Sequence, residues 1–218
     1  GRVENQCLDN VTGVREEIRK ARMMTKGALG INIMVALSDF AEIVKAAVEE
    51  GIDVIFAGAG LPLSLPLLAG KTGEATEKDQ GKTGNSGNNT KLVPIISSAK
   101  AVKMIAKWWQ EKYNYVPDGF VLEGPLAGGH LGFKKEQLDQ PEYQLERLLP
   151  EVLEVVREIE TRTNKRIPVI CAGGIFYGGD IKRFLDMGAA AVQMATRFVA
   201  THECDADPAF KQAYVQCR

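Results

Sequence analysis

Histidine is scarce in this chain: there are two in 218 residues, His130 and His202. A metal centre would therefore have to lean on cysteine, and the four cysteines (Cys7, Cys171, Cys204 and Cys217) are scattered without a C-x-x-C pair. Neither a zinc site nor a disulfide framework is expected. Cys171 falls in an apolar run and reads as a reduced core residue, which points to a reducing, cytoplasmic compartment. There is no excess of either charge, with 27 Lys and Arg against 28 Asp and Glu. Without a basic excess or a polybasic run, neither nucleic acid nor a membrane surface is expected as a partner. No apolar stretch reaches the roughly 18 residues that a spanning helix needs, and the first residues do not form a signal peptide. What remains is an ordinary globular profile, 45% hydrophobic and 25% charged, long enough to build one sizeable core.

Glycine, by contrast, is plentiful, and it gathers in one stretch, GFVLEGPLAGGHLGF at residues 119–133. Phe120, Val121 and Leu122 read as a buried parallel strand. The chain then breaks into a loop holding Gly124, Pro125, Gly128, Gly129 and Gly132 around His130. Such a loop lets backbone approach something flat and close, where side chains would be in the way. A glycine-rich turn with an incidental histidine would look the same in isolation.

The flanking sequence gives that loop its context. A helical pattern covers residues 14–25, with Arg15, Glu16, Glu17, Arg19 and Lys20 on its outer face. Strand patterns follow at 30–35, 53–58, 92–97, 120–123, 167–174 and 190–196. Helical patterns lie at 39–50 (capped by Ser38 or Asp39), 100–112, 143–161, 180–187 and 207–216. Strand–helix alternation of this kind calls for a parallel sheet covered by helices. An open doubly wound sheet gathers its glycines at one switch point. Here nearly every strand ends in small residues, which would meet on the carboxyl-terminal face of a (β/α)₈ TIM barrel. The barrel is the expected fold, with six strands visible and two missing.

Residues 70–90 do not fit the alternation, because they contain no large apolar side chain to offset their ordering entropy. GKTGNSG lacks P-loop spacing and a preceding strand. The segment is expected to be a flexible hydrophilic insertion at the face opposite His130, within a single domain spanning residues 1–218.

Two strand ends late in the chain, AGGI at residues 172–175 and QMATR at 193–197, follow each other as the last two loops of a barrel do. Such loops often bind phosphate through backbone N–H groups. Gly173 and Gly174 would allow close approach and Thr196 offers a hydroxyl, although tight helix-on-strand packing would use the same residues.

GINIMV at 30–35, AGAGLP at 57–62, EGPLAGGHLG at 123–132, IPVICAGGI at 167–175 and AAVQMATRF at 190–198 together resemble the nitronate monooxygenase family and its relatives, the FMN-dependent enoyl-(acyl-carrier-protein) reductases. The resemblance covers nearly the whole chain apart from the insertion. It implies FMN at the carboxyl-terminal face, with Asn32 and Ala59 along the flavin and Gly128, Gly129 and Gly132 flanking the ring. Gly173, Gly174, Gln193, Met194, Ala195 and Thr196 would hold the phosphate, Glu123 would anchor the flavin or the loop, and His130 would be the catalytic histidine. His202 reads as a surface residue. Three features depart from the family pattern. Two upstream strands and the carboxyl-terminal part are absent from this chain, which is therefore expected to be a fragment. Ala195 replaces the usual glycine of the phosphate loop. Pro125 and Leu126 replace a common Met-Glu pair.

The implied activity is oxidation of alkyl nitronates with oxygen, His130 removing an α-proton from a neutral nitroalkane or orienting the nitronate. The alternative is reduction of an enoyl thioester, with NAD(P)H as reductant. A third reading is an inactive barrel acting as a binding protein. The partner is a small-molecule substrate in the first two readings, and a homodimer stays open.

Overall fold

The computed structural model describes residues 2–3, 6–7, 9–72 and 89–217. A short antiparallel pair, β1 (Arg2–Val3) and β2 (Gln6–Cys7), comes first. After it come α1 (Asn10–Met24), β3 (Gly30–Met34), α2 (Phe40–Glu49), β4 (Val54–Gly58) and the short α3 (Leu65–Leu68). The series continues with β5 (Lys91–Ile96), α4 (Ala99–Tyr113), β6 (Phe120–Glu123), α5 (Leu145–Thr163), β7 (Val169–Ala172) and α6 (Gly178–Asp186). It ends with β8 (Ala191–Gln193), α7 (Thr196–Val199) and α8 (Pro208–Gln216). The six strands β3 to β8 lie side by side in sequence order, and every pair is parallel.

The side-chain alternation of the strands shows which way the sheet is covered. Ile33, Ile55, Leu92, Phe120 and Cys171 join Val44, Ile105, Trp109, Leu149 and Phe184 of the helices in one large core. The alternate positions, Val54, Phe56, Val93, Ile95, Val121, Ile170 and Ala172, form a second apolar cluster that includes no helical residue. A doubly wound sheet would carry helices on both faces and reverse its strand order. This sheet does neither. It is a curled half-barrel of six strands, with an inner face filled by its own side chains as a barrel interior is. The sheet has the six strands expected of this chain, and among the described residues β3 and β8 are each paired on one side only.

Local chemistry explains the helix ends. Asp9 caps α1 by accepting from the Thr12 N–H at 2.9 Å, and Ser98 caps α4 by accepting from Ala101 at 3.3 Å. Asp39, an expected cap of α2, makes no capping bond; its carboxylate accepts instead from Asn10 Nδ2 at 2.7 Å. Arg15 and Arg19 are drawn from the expected outer face onto the end of α2. Arg19 Nε reaches Glu50 at 2.7 Å, and Arg15 pairs with both Glu49 and Glu50.

The amino-terminal ends of the strands are tied by Asp118. Its carboxylate accepts from the Leu92 N–H at 2.8 Å, from Lys165 Nζ at 2.9 Å and from the Tyr115 hydroxyl. Beside it, the buried Thr90 donates to the Ile52 carbonyl at 2.8 Å. The expectation of a flexible insertion falls mostly on residues 73–88, outside the described residues. Thr90, on its far flank, sits at the amino-terminal ends of β4 and β5. No helix among the described residues is long and apolar enough to cross a membrane.

Candidate active site

The opposite, carboxyl-terminal ends of the strands are where the small residues collect. At the end of β4 the chain turns through Ala59, whose φ of 53° is rare for a residue with a Cβ. At the end of β6, Glu123 follows Val121 on the helix-free face of the sheet. Its carboxylate is half-buried, has no hydrogen-bond or ion-pair partner among the described residues, and is pushed above the usual carboxylate range by burial. Glu123 and the exposed His130 line one cavity of about 340 Å³ together with Ala59, Gly60, Ser97 and Gly132.

The β6 loop that carries His130 is held at both of its ends. A Cβ on Gly132 would fall 2.3 Å from Ser97 Oγ, so this glycine lets the loop lie directly on the end of β5. On the other side, Gly173 and Gly174 have φ of 98° and 71°. A Cβ on Gly173 would meet the Ala127 backbone nitrogen at 2.8 Å, and one on Gly174 would meet Leu126 Cδ1 at 2.7 Å. Between these two anchor points Gly128 and Gly129 face open space, with nothing within 4 Å of a built Cβ.

The structure does not bring every expected residue to one place. Asn32 is exposed on β3 and lines a larger groove of about 580 Å³ between α1 and the unpaired edge of β3, not the His130 cavity. That groove is mostly apolar and follows from the open sheet edge, so the smaller cavity is where the chemistry can sit. Gln193 pairs in register with Ala172, next to the second cluster. Met194 packs its side chain against the helix-side core, leaving only its backbone for the strand-end face. Ala195 is exposed with φ of −126°, a value open to any residue, so its backbone does not demand the usual glycine. Thr196 is exposed at the start of α7.

These residues fit a flat ring carrying a phosphate tail. The open surface over Gly128 and Gly129 leaves room for a ring, and Thr196 with the backbone around Gly174 supplies donors. Only the Leu126 side chain, 67% exposed and free to swing, stands over Gly174.

The nitronate monooxygenase family model matches residues 9–218 of this chain. The chain belongs to the nitronate monooxygenase family. A 5-hydroxy-7a-methyl-1-oxo-octahydro-1H-indene-4-carboxyl-CoA dehydrogenase of Mycobacterium tuberculosis is 30% identical over 91% of this chain and 45% of its own length. A nitronate monooxygenase of Pseudomonas aeruginosa is 38% identical, over 44% of this chain and 25% of its own length. Among solved structures, FabK from Thermotoga maritima superposes with a TM-score of 0.72 at 27% identity, covering 96% of this chain and 54% of that one. The chain spans about half the length of the relatives that it matches along most of its own extent. The six-stranded half-barrel is TIM-barrel-like, as the superposition on FabK bears out.

The resemblance implied Glu123 as an anchor of the flavin or the loop; among the described residues its carboxylate holds no part of the loop and is left facing the cavity. The contacts of Leu126 and Ala127 with the glycine pair had no sequence signal, since they join segments far apart in the chain.

Proposed function

We propose that the protein is an FMN-dependent oxidoreductase that oxidises alkyl nitronates with oxygen, with its site at the carboxyl-terminal face of the half-barrel. The observation behind this reading is one cavity lined by both His130 and Glu123, whose carboxylate has no partner among the described residues, beside a glycine surface open to a flat ring. FMN, when bound, supplies the redox step. The chain's own residues do the rest. Gly128 and Gly129 leave the ring's face unobstructed, and Thr196 offers a hydroxyl to the phosphate. His130 accepts the α-proton of a neutral nitroalkane, leaving the nitronate anion. Glu123 lines the same cavity, where burial disfavours its charged form.

A second reading is favoured by the CoA dehydrogenase, which matches 91% of this chain against 44% for the nitronate monooxygenase. In it the substrate is an acyl-CoA or enoyl thioester, with NAD(P)H as partner, and His130 moves the proton at the carbon next to the carbonyl.

The test is spectroscopic. The whole purified protein should carry flavin absorbance, and under argon that absorbance should bleach with a nitronate in the first reading or with NAD(P)H in the second. A colourless protein that takes up no FMN would overturn both and leave a binding protein. His130→Ala should keep its flavin and lose roughly 2–4 orders of magnitude in turnover of a neutral nitroalkane. The loss should be smaller on the pre-formed nitronate; equal losses would remove His130 from the proton transfer.

A further inference from the structure

Outside the His130 cavity, on the rim formed by the loops after β7 and β8, lies a cluster that the reaction above does not use. Phe176 and Tyr177 stand edge to face with ring centroids 5.0 Å apart. The Arg197 guanidinium lies over both rings, 5.0 Å from the Phe176 centroid and 5.9 Å from that of Tyr177. Arg197 Nη1 also donates to the Phe176 carbonyl at 3.4 Å. The guanidinium has no carboxylate partner among the described residues. The rings face water, Tyr177 being 68% exposed, and Leu126 and Phe198 add exposed apolar surface nearby. An arginine stacked on aromatic rings is oriented before any ligand arrives, and its remaining N–H groups form a fork suited to phosphate oxygens.

The adjoining helix end is closed to an anion. Asp180 accepts from the Phe176 and Tyr177 N–H groups at 3.1 and 2.9 Å, so those amides already have a carboxylate. An anion reaching this rim therefore has Arg197 as its donor and the Tyr177 face as a platform for a planar group. That combination of charge and ring suits a nucleotide, and its position on the solvent side suits a molecule that enters and leaves.

We infer that Arg197, Phe176 and Tyr177 form a clamp for the adenosine diphosphate moiety of a second substrate, the portion that CoA thioesters and nicotinamide dinucleotides share. This inference rests on the second of the two oxidoreductase readings, in which a CoA thioester or NAD(P)H approaches this face. Arg197 would grip phosphate and Tyr177 would stack on adenine, leaving the reactive end to extend across the β6 loop toward His130.

The experiment titrates the whole purified protein with ADP, CoA, NADPH and inorganic phosphate by calorimetry, comparing wild type with Arg197→Ala, Arg197→Lys and Tyr177→Leu. Arg197→Ala should weaken ADP binding about 10–100-fold, the scale of charge-assisted hydrogen bonds. Flavin content and turnover of a small nitroalkane, which carries no nucleotide, should stay unchanged. Arg197→Lys should recover only part of the loss, because an ammonium keeps the charge without the fork. Tyr177→Leu should weaken ADP but not inorganic phosphate, which gives a second readout if the arginine variants fold poorly. Whichever of CoA and NADPH shows the same dependence on Arg197 is the source of the nucleotide. Absent ADP binding in the wild type, or equal binding in wild type and Arg197→Ala, overturns the clamp. So does loss of flavin in Arg197→Ala, which would assign the guanidinium to the cofactor phosphate. A flavin-free protein that still binds ADP through Arg197 would sink the oxidoreductase reading while leaving the clamp in place.

Discussion

Gly173 and Gly174 are neighbours in sequence with similar backbones, yet alanine should affect them very differently. At Gly174, φ is 71° and the built Cβ lies 2.7 Å from Leu126 Cδ1. Leu126 is 67% exposed, so its side chain can rotate into solvent and relieve the contact. The cost is then chiefly the left-handed backbone, about 1–2 kcal/mol for a residue with a Cβ. Part of it is offset by the roughly 0.4–1 kcal/mol that Gly→Ala removes from the freedom of the unfolded chain. At Gly173, φ is 98°, further from the left-handed minimum, and the Cβ would lie 2.8 Å from the Ala127 backbone nitrogen. A backbone atom cannot rotate away, so the whole β6 loop must move. Overpacking of that kind costs about 1–3 kcal/mol on top of the strain. Gly174→Ala should therefore lose about 1 kcal/mol or less, and Gly173→Ala about 2–4 kcal/mol. Urea unfolding followed by tryptophan fluorescence reads the difference, and Tm should separate by several degrees at 2–4 °C per kcal/mol for a chain of this size. Because the displaced loop carries His130, Gly173→Ala should also lower turnover more than Gly174→Ala. If Gly173→Ala proves as mild as Gly174→Ala in stability and turnover, the loop does not rest on the glycine pair as described.

Three other substitutions test separate parts of the molecule. Glu123→Gln should stabilise the protein progressively as pH rises above the ordinary glutamate range. Burial makes the folded state hold this proton longer than the unfolded chain does, so the wild type loses stability with rising pH until Glu123 ionises; a difference between variant and wild type that stays constant from pH 4 to 8 would refute this. Asp118→Ala leaves the Leu92 N–H, the Tyr115 hydroxyl and Lys165 without their shared acceptor and should cost about 3–5 kcal/mol in urea unfolding, with little effect on the site at the far end of the strands. Trp109→Phe removes the indole donor to the Pro62 carbonyl at 3.1 Å and part of a fully buried ring, and should lose roughly 2–3 kcal/mol by the same measurement.

The strands were legible because each is a short apolar run closed by glycine, alanine or serine, and the six observed strands fall at the expected places. Their shared helix side was also legible, since alternation with helices allows few other arrangements. The β1–β2 pair was not, because two residues per strand carry no periodicity. Nor was the Asp118 network, two of whose partners, Leu92 and Lys165, lie 26 and 47 residues away in sequence and have no local pattern. At the site, sequence placed the glycines and His130 on one end of the sheet. It did not show that Gly173 and Gly174 are covered by Leu126 and Ala127, nor that Asn32 opens onto a different groove, because both depend on how far a loop reaches.

The order of the strands also sets where the molecule comes apart. Among the described residues each of β3 to β8 hydrogen-bonds only to its neighbours in sequence, so cooperativity is passed along the sheet step by step and not shared across it. The step at the β8 end is the weakest: β8 has three residues, and neither α7 nor α8 buries a single side chain. Fraying should begin there and spread inward, with amide exchange fastest in β8 and slowest around β5 and β6. Any ligand that bridges the ends of β7 and β8 would link its own affinity to that local opening. Part of its binding free energy would go into ordering the edge, and occupancy would be felt as protection of amides that no ligand atom touches.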